Sequence, residues 1–123
     1  MADSAERGFL RYPETPLLAR AWTRSVLDRW PGCRGVENLI LVVNELVCNA
    51  LAGRGPISVA LRREGARVGV AVSGLGGGTG RPAPGPAGWA GRGLIVVRDL
   101  AESWGVDQHA DPDGTTVWAL LAG

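Results

Sequence analysis

The chain has 123 residues, 46% of them apolar, with 13 basic and 12 acidic side chains and a formal charge of +1. That length allows one domain with a real core and excludes two, and that apolar content excludes a disordered chain. The charge balance implies no bulk attraction to nucleic acid or to an anionic membrane, and no apolar run reaches spanning length.

Every basic residue is arginine. Together with 19 glycines this fits a GC-rich coding bias, although arginine in place of lysine also suits phosphate sites. No signal-peptide pattern is visible, so none is expected, and Cys33 and Cys48 lack CxxC spacing. The expectation is a reduced, cytoplasmic protein with Cys48 packed as a small hydrophobe. His109 is the only histidine, so a metal site of Cys and His is not expected.

In chain order, residues 1–7 are small and polar and are expected to fray. Gly8 to Tyr12 reads as a short strand stopped by Pro13. Thr15 suits a helix N-cap with Pro16 at the first helical position, where its missing N–H costs nothing. Leu17, Leu18, Ala21, Trp22, Ser25, Val26 and Trp30 follow at amphipathic spacing, up to the turn at Pro31 to Gly35. The central helix is Gly35 to Leu51. Its stripe is Val36, Leu39, Ile40, Val43, Leu46, Val47, Ala50 and Leu51.

Ala52 to Pro56 breaks the pattern. Ile57–Leu61 and Arg67–Ser73 alternate as paired strands around a tight connection at Arg63 to Ala66. From Gly74 to Gly91 there are eight glycines and three prolines in 18 residues, which predicts a long loop with functional ends and a disordered middle. A third helix carries Leu94, Ile95, Val97, Leu100 and Ala101. Trp104 to His109 is a strand, Asp111 to Gly114 a turn, and Thr115 to Leu121 the last strand. The order β-α-α-β-β-loop-α-β-β predicts an α+β two-layer sandwich, about three helices on a mainly antiparallel sheet of four or five strands, as one domain over residues 1–123. The five tryptophans, Trp22, Trp30, Trp89, Trp104 and Trp118, are too scattered for a nucleic-acid stacking platform. Trp89, alone within the glycine loop, suits docking of that loop or contact with a partner.

The face of the central helix opposite its stripe carries Glu45 and Asn49, one turn apart, flanked by Leu41, Val42 and Cys48. Two descriptions fit: a core helix with two satisfied polar residues, or a helix that lines a polar pocket. Gly74, Gly76 and Gly78 at a strand end permit close approach of a ligand, and Gly91-Arg92-Gly93-Leu94 at a helix start favours an anion. The succession suits a nucleotide held between helix and lid, with Asn49 as an oxygen ligand to Mg²⁺ and Glu45 as a base.

Leu41 to Ala50 resembles the N box of the GHKL (Bergerat-fold) ATPases, and its nearest likeness is the branch of small bacterial anti-sigma regulatory factors, which are serine/threonine kinases. Gly91 to Val97 resembles the second glycine box, and Gly114 to Leu120 the closing strand; the resemblance runs from about Pro16 to the C-terminus. It implies ATP and Mg²⁺ as cofactors, Glu45 as general base and Asn49 as Mg²⁺ ligand. It also implies phosphate contacts from Gly91, Arg92, Gly93 and Leu94, and an adenine contact from Thr116 or its neighbour Thr115. The partners implied are a sigma factor or an anti-sigma antagonist whose Ser or Thr is phosphorylated, and a homodimer is compatible with it. The first glycine box departs from the family: Gly74 stands where an Asp accepts a hydrogen bond from the adenine amino group, and no acid occurs between Glu64 and Asp99. That departure supports an alternative, a non-catalytic protein-interaction module of the same fold.

Overall fold

The computed structural model describes residues 3–75, 92–108 and 114–123. In order these form β1 (Asp3–Phe9), α1 (Thr15–Leu27), α2 (Val36–Ala50), β2 (Arg54–Glu64), β3 (Arg67–Leu75), α3 (Arg92–Leu100), β4 (Ser103–Gln108) and β5 (Gly114–Ala122). The five strands make one sheet in the order β1-β2-β3-β5-β4, with every neighbouring pair antiparallel. The class is α+β, with the helices layered on the sheet.

Strand alternation sends one set of side chains toward the helices. Ile57, Val59 and Leu61 of β2, Val68, Val70 and Val72 of β3, and Val117, Ala119 and Leu121 of β5 are all buried in the core. Leu39, Val42, Val43, Leu46 and Val47 of α2, Val26 and Leu27 of α1, and Val97 of α3 meet them. Val42, expected beside the polar face, has no exposed surface. The reason is that α2 packs on α1, on α3 and on the sheet, so more than one stripe of it is covered.

The N-terminal segment does not fray at residues 3–7. Asp3–Phe9 pairs along β2 from Arg63 to Ile57 and ends before the expected Gly8–Tyr12 strand is complete. An ion pair from Arg63 to Asp3 (2.8 Å), a hydrogen bond from Ser58 Oγ to Glu6 (2.9 Å) and burial of Phe9 edge-on to Trp22 hold it there. A charged, short strand suits a sheet edge.

Thr15 is not the cap of its own helix. Glu14 occupies that position, and the buried Thr15 hydroxyl reaches back, donating to the Leu10 carbonyl (2.5 Å) and accepting from the Tyr12 N–H (3.0 Å). The pattern break at Ala52 to Pro56 is shorter than expected, because β2 already begins at Arg54, ahead of a shift in register with β3 before Ser58. The β2–β3 connection is tight, with Gly65 at φ +61°. β3 continues to Leu75, so Gly74 lies within a strand and not at the start of a loop. The rest of the expected 74–91 lid, with Gly76, Gly78, Trp89 and Gly91, lies outside the described residues, as do His109 and most of the Asp111 to Gly114 turn.

Candidate functional site

α2 presents Glu45 and Asn49 on one side, both half-buried. Their surroundings differ. Arg20 of α1 donates to Asn44 Oδ1 (3.1 Å), and Asn44 Nδ2 donates to Glu45 Oε2 (3.2 Å). The carboxylate is thereby oriented by a neighbour that is itself oriented from α1, and a carboxylate keeps acceptor capacity beyond one such bond. Cys48 lies one turn on. Its thiol is pushed up from the usual value, first by burial of the sulfur and then by the Glu45 charge, with Arg20 opposing. Cys48, expected to pack as a small hydrophobe, is exposed.

Asn49 lacks such support. Its Nδ2 is buried and has no hydrogen-bond partner among the described residues. A buried amide left unmatched costs free energy, and such an atom in a folded protein calls for an explanation in terms of a ligand, water or ion. This separates Glu45 from Asn49: the Glu45 carboxylate has a partner within the fold, and the Asn49 Nδ2 has none among the described residues.

The strands contribute at their near ends. Gly74 is paired directly with Thr115, and both share the side of the sheet that faces the helices, in line with Val72 and Val117. Thr115 is 7% exposed. Thr116 points to the opposite side, where its hydroxyl is 2.7 Å from Ser73 Oγ. Of the two threonines, Thr115 therefore belongs to the site face and Thr116 does not, because a one-residue step along a strand reverses the side.

Arg11, which nothing in the sequence pattern singles out, joins the helix and strand parts. Its Nη1 donates to the Ala50 carbonyl at the end of α2. Its Nη2 lies 3.5 Å from the point that a Cβ on Gly74 would occupy. Burial draws its pKa below the ordinary value. A sequence signal existed only in retrospect: Arg11 is the sole charge between the apolar pair Phe9-Leu10 and Tyr12-Pro13. At Gly74 itself an added Cβ would meet only ordinary contacts, the next nearest being the Pro56 carbonyl at 3.9 Å, and its φ is not positive. The glycine is thus not required by backbone geometry.

Arg92 and Gly93 open α3, which packs on α2. No group of three or more His, Cys, Asp or Glu residues suited to a metal occurs among the described residues. A single amide oxygen, such as Asn49 Oδ1, is the kind of group that can ligate Mg²⁺ arriving with phosphates and keeping several waters. Comparison with models of known protein families and with curated proteins finds no match to the chain.

Proposed function

We propose that the chain is a nucleotide-dependent regulator of the anti-sigma type, built as a GHKL-like ATPase domain. In that reading a nucleoside triphosphate with Mg²⁺ sits between α2 and the ends of β3 and β5. The observation that carries it is the buried Asn49 Nδ2, a donor with no partner among the described residues that a phosphate oxygen would satisfy, on the helix whose end Arg11 links to the Gly74–Thr115 pair. The bound nucleotide supplies a γ-phosphoryl group, and Glu45 takes the proton of the Ser or Thr hydroxyl that receives it. Its hydrogen bond from Asn44 fixes the carboxylate without consuming it. ATP is the cofactor that the sequence resemblance names.

A sigma factor or its antagonist is the proposed partner. Support for a protein partner comes from the corner between β1 and α1, where Leu10, Tyr12, Leu17 and Leu18 are all more than half exposed. The second reading, a module that binds its partner without nucleotide, is favoured by one feature: a cation, not a carboxylate, stands against Gly74.

Calorimetric titration of the purified chain with Mg²⁺ and nucleoside triphosphates, in the wild type and in Asn49→Ala, decides between them. The nucleotide reading expects Mg²⁺-dependent binding that Asn49→Ala abolishes while circular dichroism is unchanged. Equal affinity in the variant would remove Asn49 from the site, and tight partner binding with no nucleotide binding would establish the module.

A further inference from the structure

The sheet ends at β1, whose far side has no neighbouring strand among the described residues. Such an edge presents backbone N–H and C=O groups as a template for a further strand. Ser4, Glu6, Arg7 and Gly8 are exposed there, and Asp3 and Ala5 are half-buried. Charge alternates in sign along the strand and is divided between its two sides. Arg7 pairs with the buried Val59 and lies over the Phe9 ring, so Asp3 and Arg7 share the helix side, with Ser4 and Glu6 on the other.

We propose that β1 pairs antiparallel with β1 of a second copy of the chain, about a two-fold axis at Ala5, joining two five-stranded sheets into one. A two-fold that relates antiparallel neighbours stands perpendicular to the sheet. Both copies then keep their helices on one side, and each residue is opposite one that faces the same way. Only registers centred on a residue meet that condition, and three of them overlap five or more residues of Asp3–Phe9. Centred on Glu6, the two Glu6 carboxylates oppose each other; centred on Arg7, the two guanidinium groups do. Like charges directly opposite are destabilising. Centred on Ala5, Asp3 stands opposite the partner's Arg7 and Ser4 opposite the partner's Glu6, and the two-fold repeats both pairs. Asp3 already meets Arg63 and Glu6 accepts from Ser58, each through one oxygen, and a carboxylate has capacity for more. The charges that oppose pairing in the other registers thus select this one.

The test is analytical ultracentrifugation of the wild type, Asp3→Arg, Arg7→Glu and an equimolar mixture of the two variants, each checked for folding by circular dichroism. The wild type is expected to reach twice the chain mass reversibly. Either variant alone sets like charges opposite at both contacts and weakens association by roughly tenfold or more. In the mixture each contact regains opposite charges, so a heterodimer forms with near wild-type affinity. A wild type that stays monomeric at its highest soluble concentration overturns the proposal, as does a mixture that associates no better than its components. Asp3→Arg also loses its pair with Arg63, so cysteine crosslinking reads the register independently. In a Cys33→Ser/Cys48→Ser background, Ala5→Cys lies on the axis within disulfide reach of its copy and should crosslink under mild oxidation. Crosslinking of Glu6→Cys or Arg7→Cys in its place means another register, and masses rising beyond the dimer mean head-to-tail pairing with β4. Either result overturns the proposal.

Discussion

Glu45 and Cys48 share a turn of α2, and each reports on the other. Because Asn44 donates to Glu45, Glu45→Gln preserves shape and removes only the charge. Phosphoryl transfer to a cognate antagonist is expected to fall by about 10²- to 10⁴-fold, with partner affinity unchanged; radiolabel transfer and a pull-down read the two quantities separately. Loss of partner binding in that variant would place Glu45 in an interface instead. The thiol of Cys48 is held above its ordinary pKa by burial and by Glu45. In a Cys33→Ser background, Cys48 should therefore be alkylated by iodoacetamide at pH 8 more slowly than a free thiol, and Glu45→Gln should speed it. The sign for stability follows: the unfolded thiol ionises first, so this contribution is intact below about pH 8.5 and is lost as pH rises through the folded value.

Two elements depend on close approaches that leave no room for a side chain. At the start of α2, a Cβ on Gly35 would collide with the Ala122 carbonyl oxygen, which is backbone and cannot swing away. Gly35→Ala is expected to cost about 1–3 kcal/mol by overpacking, read as a lower urea midpoint at unchanged slope. Gly105 of β4 is different, because an added Cβ would meet the Trp118 ring at 2.8–2.9 Å, and a side chain can move. Gly105→Ala should shift Trp118 fluorescence and destabilise less than Gly35→Ala. In the connector before α1, Thr15→Val keeps volume but strips a partner from the Leu10 carbonyl and from the Tyr12 N–H. A loss of about 1–3 kcal/mol is expected.

At the scale of the whole molecule, three helices cover one side of the described sheet, and the core between the layers is nearly all aliphatic. Such a domain should unfold in one step. A ligand that binds only the folded form then raises the midpoint by linkage, by about 2.7 kcal/mol at a hundred times its Kd. Mg-ATP at saturating concentration is expected to raise the melting temperature of the wild type, and Asn49→Ala should lose that shift. No described helix is long and apolar enough to cross a membrane.

The fold class and the order of elements were legible in the sequence because periodicity is local. The 3.6-residue stripe of Val36 to Leu51 and the alternation in Ile57–Leu61 and Arg67–Ser73 need no partner to be seen. Local pattern also singled out Glu45, Asn49 and Gly74 as candidates. It placed the first strand too late, at Gly8 to Tyr12, since Asp3–Phe9 has a single large apolar side chain and is ordered by its ladder to β2 and by ion pairing across it. Nor could it choose Thr115 over Thr116, because the side a strand residue faces is set by register with β3. Arg11 is the clearest case. It is 39 residues from Ala50 in the chain and 63 from Gly74, and only the packing of the β1–α1 connector against the end of α2 brings its guanidinium to both. Sequence determined which chemical groups the protein has on each element; tertiary structure decided which of them meet, because contacts between distant segments depend on how the layers pack and on no single segment's pattern.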